Sequence, residues 1–170
     1  QLGNDGMAPY KQAQGELGEI VVRGDHVNQG YIDNPQANIE NKIKEVDGSI
    51  WHRTGDVGYF DENGLLWLTG RVNDVVTHYD KILQPLPIEA ELDALESVVR
   101  SALVSSQSAP NGYIFVEIGE GYSEEKVSQI IDEKISARGL QKMDIGFLPK
   151  MAVDGRHNSK IDRPTLREIL

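Results

Sequence analysis

Residues 53–71 constrain this chain more than any other stretch. Arg53-Thr54-Gly55-Asp56-Val57-Gly58-Tyr59-Phe60, running on through Thr69-Gly70-Arg71, reads as strand, acidic turn and strand, with Asp61-Glu62-Asn63-Gly64 a hairpin turn and Leu65-Leu66-Trp67-Leu68-Thr69 the return strand. On this reading Thr54-Gly55-Asp56 ends the first β segment and Arg71 ends the second. One carboxylate and one guanidinium then stand where strands give way to turns. Such a pair can grip a diol or a phosphate. Thr-Gly-Asp by itself is an ordinary turn tripeptide. Its spacing from the Thr69-Gly70-Arg71 strand end is the specific signal.

The chain has 170 residues, room for one ordinary domain or a small one with part of another. Hydrophobic residues make up 39%, enough for a packed core. The net charge of −10 is spread along the chain, which argues against nonspecific nucleic-acid binding, since that needs a basic face. With no cysteine there is no disulfide framework and no thiol chemistry. The four histidines, 26, 52, 78 and 157, show no metal-ligand spacing, so no metal site is expected. His78 reads as a surface residue. No apolar run approaches the roughly 18 residues of a membrane span, and no signal peptide is visible. The expected location is cytoplasmic. Gln1 is not an initiator methionine, and the chain is expected to begin inside something larger.

Taken in order, residues 1–16 are polar and glycine-rich, and 19–23 is a strand closed by Gly24. Pro35 opens a short helix to about Lys42, and Asp47-Gly48 is a turn. Residues 17–72 are thus mostly short strands with tight turns. After Arg71-Val72-Asn73-Asp74 the pattern changes. A hairpin around His78-Tyr79-Asp80 leads to a helix with Pro87 at its start and Ile88, Leu92 and Leu95 on one side. Strands follow at 98–105 and 113–118. Ser123 caps a helix to about Arg138, with Val127, Ile130, Ile131 and Ile135 inward and Gly139 at its end. A third strand covers 144–147, and Pro164 starts a terminal helix. Between them, Val153-Asp154-Gly155-Arg156-His157-Asn158-Ser159-Lys160 is a polar loop with Lys160 at its tip. Alone, such a lysine is a solvated charge. The expected fold class is α+β: a β-rich part over 1–72, then a small unit over 73–170 with a three-stranded sheet and packed helices.

Arg53-Thr54-Gly55-Asp56, followed by the Gly64-Leu65…Thr69-Gly70-Arg71 strand, resembles the adenylate-forming superfamily, which includes acyl-CoA synthetases, firefly luciferase and the adenylation domains of peptide synthetases. The resemblance covers about residues 16–170, the last third of a typical member. It implies that 1–72 is the end of the large catalytic domain and 73–170 the mobile lid. Asp56 matches the aspartate that accepts from the ribose hydroxyls of ATP. Arg71 matches an arginine on the ribose or phosphate side; the other reading is a strand-end ion pair with Asp56 or Asp74. Asn73 and Asp74 fall at the hinge of the lid. Lys160-Ile161-Asp162-Arg163 matches the second half of the closing loop, whose lysine reaches the carboxylate and α-phosphate during adenylation. A fixed cation there meets the charge that builds on phosphorus. The resemblance implies ATP and Mg²⁺ as cofactors, with the metal site outside this chain. It also implies a small carboxylic acid, expected to be fatty, as substrate and the large domain of the same protein as partner.

Two departures carry weight. His157-Asn158-Ser159-Lys160 is similar to the β-lactone synthetase branch, which acts on 3-hydroxy acids without a thiol. In the hairpin, Asp80 is placed where acyl-CoA synthetases carry a glycine beside the pantetheine arm, which argues against CoA as acceptor. The family's phosphate loop and adenine-binding segments are missing, so this chain alone is expected to be inactive. The expected function is the C-terminal part of an AMP-forming acid ligase. A β-lactone synthetase-like enzyme and a noncatalytic interaction module with the lid fold are the alternatives.

Overall fold

The structure is a computed structural model, described for residues 7–155 and 160–170. The chain divides into two compact units, Gln1–Asn73 and Asp74–Leu170. The described residues form four α-helices and three sheets, an α+β fold.

The first unit is built on one long strand. β3 (Ile50–Phe60) carries β1 (Gly18–Val22) on one edge, with β2 (Lys42–Lys44) and β4 (Leu66–Arg71) on the other, all antiparallel. The helix α1 (Pro35–Asn41) has Pro35 in its first turn, and the Asn34 side chain accepts from the Ala37 N–H. Thr54-Gly55-Asp56 does not end a strand; β3 runs through it. Glu19 pairs with Val57 and Val21 with Arg53, so Ile20 alone faces the three residues 54–56. This is a bulge. Gly55 makes it possible with φ +72°, a backbone that an L side chain adopts only under strain. Gly58 allows β4 to lie close, since a Cβ there would stand 2.5 Å from the Trp67 carbonyl oxygen.

The second unit starts with a hairpin, β5 (Val76–His78) and β6 (Lys81–Leu83). The helix α2 (Pro85–Asp93) follows, starting at Pro85, two residues before the expected Pro87, because both prolines fit its first turn. Then come β7 (Val98–Val104), β8 (Tyr113–Ile118), α3 (Glu124–Ala137), β9 (Asp144–Phe147) and α4 (Arg163–Ile169). The sheet order is β7-β8-β9, with β9 parallel to β8. Alternation along β8 gives each face its own core. Ile114 and Val116 pack with Ile88 and Leu92 of α2 and Val127, Ile131 and Ile135 of α3. Phe115 packs on the other face with Ala102, Val104, Met151 and Leu166 of α4. The α3 residue Ile130, expected inward, is 36% exposed, since it lies beside the stripe set by 127, 131 and 135.

Candidate adenylate-binding and catalytic-lysine sites

Asp56 and Arg71 are cross-strand partners of β3 and β4, and Arg71 Nη1 lies 2.7 Å from Asp56 Oδ1. Of the two ion-pair partners open to Arg71, Asp56 is the one it meets. The bulge is held from behind. Glu19 Oε2 accepts from Arg53 Nε and Nη2 at 2.8 and 2.6 Å, while Oε1 accepts from the Gly55 N–H at 3.2 Å. Thr54 Oγ1 donates to the Ile20 carbonyl and accepts from the Asp56 N–H. The Asp56 carboxylate is therefore aimed by a fixed backbone. Glu19 was not singled out from the sequence. Its signal was a lone acid beside the apolar run Ile20-Val21-Val22. The side chains of Arg71 and Asp56 are 59% and 32% exposed. A pair so open to water is worth about 0–1 kcal/mol, so a ligand with two hydroxyls can displace it at little cost.

Lys160 belongs to the second unit and sits at the foot of its loop, not the tip. Its carbonyl accepts from the Asp154 N–H at 2.8 Å, and its own N–H donates to Asp154 Oδ1 at 3.1 Å. Val153 and Ile161 form an antiparallel bridge beside this pair. The Lys160 side chain is exposed, and its ammonium makes no ion pair with a described residue. The preceding Arg156-His157-Asn158-Ser159, including the motif that suggested the β-lactone branch, lies outside the described residues.

Asn73 is exposed and closes the first unit. Asp74 is held inside the second: its Oδ2 lies 3.3 Å from Arg163 Nε and its Oδ1 2.9 Å from Arg167 Nη2. Arg163, 8% exposed, also meets Glu89 Oε2 at 2.8 Å and donates to the Leu103 carbonyl at 2.8 Å. The other oxygen of Glu89 accepts from the Leu103 N–H at 2.7 Å. No sequence signal linked Glu89 to Arg163.

His78 is buried, contrary to the surface position expected for it. Its ring nitrogens lie 2.6 Å from the Asn111 carbonyl oxygen and 3.0 Å from that of Gln141, two loops its neighbours in sequence do not reveal. At the hairpin turn the left-handed backbone belongs to Tyr79, φ +54°, and Asp80 beside it is exposed. Among the described residues, no group of three or more His, Cys, Asp or Glu could hold a metal ion, and no helix is long and apolar enough to cross a membrane. A cleft of about 770 Å³ in the first unit is lined by apolar side chains such as Tyr10, Ile20, Trp51 and Leu66. Asp56 and Arg71 do not line it, and its apolar walls suit packing better than a nucleotide.

Known proteins are similar to this chain in sequence and in fold. No protein-family model matches the chain. An olefin beta-lactone synthetase of Stenotrophomonas maltophilia is 36% identical over 94% of the chain and 31% of its own length. A 2-succinylbenzoate–CoA ligase of Listeria innocua is 30% identical over 99% of the chain and 35% of its own length. The crystal structure of ATP-bound MatB from Rhodopseudomonas palustris superposes with a TM-score of 0.74 at 26% identity, over 93% of this chain and 31% of that one. The chain thus spans about a third of the length of the relatives it matches. By sequence and by fold it belongs to the adenylate-forming superfamily of ligases and synthetases, and corresponds to their C-terminal part.

Proposed function

We propose that this chain serves as the C-terminal portion of an ATP-dependent enzyme that joins a carboxylic acid to AMP and releases pyrophosphate. The observation that carries this reading is Lys160: a backbone held on both sides, and an exposed ammonium not engaged by a described residue. In the reaction, a carboxylate oxygen attacks the α-phosphorus and pyrophosphate leaves. Lys160 supplies a cation where negative charge develops on the phosphoryl oxygens. Asp56 accepts from the ribose hydroxyls, for which a carboxylate with two oxygens is suited, and Arg71 steadies it. Mg²⁺, when bound, offsets phosphate charge; its ligands would come from outside the described residues. Asn73 is the proposed pivot, with Asp74 fixed to the second unit by Arg163 and Arg167. The chain by itself is expected not to turn over ATP.

The test is Lys160→Ala in the full-length protein, scored by pyrophosphate release with ATP, Mg²⁺ and a panel of fatty acids. Loss of one such electrostatic contact is expected to lower the rate by about 10²–10³. The thermal midpoint should hold, because an exposed side chain adds little to folding. A rate within a few-fold of wild type would refute the role of Lys160.

A second reading, that the activated acid is a 3-hydroxy acid closed to a β-lactone, is favoured by the 36% identity to the olefin beta-lactone synthetase. The 3-hydroxyl would attack the acyl carbon and AMP would leave, with no thiol involved. Asp80, exposed at the hairpin turn, supports an acceptor other than CoA, since its charge repels the CoA phosphates. Product analysis by mass spectrometry, with and without CoA, separates the readings. Abundant acyl-CoA would exclude the lactone route as the main one.

A further inference from the structure

We propose that Asp154 is a positioning residue for Lys160, an inference that rests on the reading of Lys160 as the adenylation cation. The segments 152–154 and 160–162 run antiparallel and close the loop at its neck. The Asp154 N–H donates to the Lys160 carbonyl at 2.8 Å, and the Asp162 N–H to the Ala152 carbonyl at 2.9 Å. On the loop side of the Asp154–Lys160 backbone bond, the same two residues share one made by a side chain: the Lys160 N–H donates to Asp154 Oδ1 at 3.1 Å.

Both ends of this neck are anchored in the core. Upstream, Met151 is buried and its N–H donates to Glu117 Oε2 at 2.6 Å. Downstream, Asp162 caps α4 by accepting from the Thr165 N–H, and Arg163 is locked by Glu89, Asp74 and the Leu103 carbonyl. Lys160 stands between the anchors, and its N–H is taken by the Asp154 side chain. A lysine reaches its target through four flexible methylenes. The direction in which the ammonium sets out is therefore fixed at the backbone or nowhere. A carboxylate accepting that N–H makes a charge-assisted bond, stronger than a neutral one, and sets the start of the side chain. Asp154 does not touch the reacting atoms; it acts through Lys160.

The experiment compares Asp154→Ala, Asp154→Glu, Asp154→Asn and Lys160→Ala in the full-length protein. The assay is pyrophosphate release with ATP, Mg²⁺ and fatty acids, resolved into kcat and the KM for ATP. Asp154→Ala leaves both backbone bonds of the neck in place and removes the Lys160 N–H acceptor. A misplaced catalytic group costs up to about 10²-fold. The expected result is a kcat lowered by about 10- to 10²-fold, with the KM for ATP and the thermal midpoint unchanged. Asp154→Glu, which moves the carboxylate by one methylene, should lose kcat as well. Asp154→Asn keeps an oxygen in the same place and should restore most of it. A purely structural Asp154 would lower the midpoint and leave kcat of the folded fraction intact, which overturns the proposal. So would wild-type kcat in Asp154→Glu, the variant that decides the matter if Asp154→Ala does not fold, or an Asp154→Asn as slow as the alanine. Lys160→Ala keeps the two failures apart. If it retains wild-type turnover, the reading of Lys160 falls and the proposal with it; if it is inactive while both displaced variants are normal, only the proposal falls.

Discussion

In the second unit, helices cover both faces of the β7-β8-β9 sheet, and the side chains from Val76 to Leu166 that line its two cores are buried. In the first, Val27 and Val57 are the only buried apolar side chains among the described residues, and β4 leaves Leu66, Trp67 and Leu68 exposed. The ion pairs differ in the same way. Arg163 and Glu89 meet with side chains 9% and 5% exposed, while Arg71 and Asp56 meet in water. The buried pair is committed to the fold, because separating its members strands a charge in a medium that cannot solvate it. The exposed pair is cheap to open and so can change partners. The Arg163 cluster of the second unit therefore braces the fold beside the Lys160 loop, whereas the Asp56–Arg71 pair of the first stays open to water.

Three measurements would break or sharpen this contrast. The largest effect is expected from the charges. Arg163→Ala leaves Glu89 and Asp74 without their shared cation and should cost about 3–5 kcal/mol by denaturant unfolding, whereas Arg71→Ala should cost about 0–1 kcal/mol. Comparable losses for both would erase the distinction. Next come the apolar side chains. Ile131→Ala opens a cavity in the core and is expected to cost about 2–5 kcal/mol, while Leu68→Ala, already exposed, should stay within about 0.5 kcal/mol. The smallest concerns pH. Arg138, hydrogen-bonded to Glu91 at 2.6 Å, and then Lys134 hold the Glu91 carboxyl below its ordinary value of 4.5. The folded state thus binds that proton less readily than the unfolded chain. The pair's contribution is present above pH 4.5 and is lost as pH falls from there through the lower folded-state value. Wild type should lose slightly more stability than Glu91→Gln over that interval, and parallel curves would show that the contact is too exposed to matter.

The sequence was informative wherever neighbours in the chain set the structure. Ser123, Pro35 and Pro164 marked helix starts because a cap or a fixed φ acts within one turn. The apolar residues of 113–118 marked a strand; that it is covered on both faces came from the structure. Even the Asp56–Arg71 pair was legible, since a hairpin turn of known length places its strand ends opposite each other. The rest depended on residues far apart in the chain. Thr54-Gly55-Asp56 read as a strand end, and only pairing with β1 turned it into a bulge inside an 11-residue strand, with Glu19 as its clamp. His78 read as exposed because its two carbonyl partners, Asn111 and Gln141, arrive from loops 33 and 63 residues away. Arg163 read as the end of the Lys160-Ile161-Asp162-Arg163 motif, yet its partner Glu89 lies 74 residues away in the chain and meets it in the interior. Propensity, capping and turn chemistry act over a few residues and can be read locally. The burial of a charge or an imidazole is stable only when distant segments supply its partners, and that was decided by the tertiary structure alone.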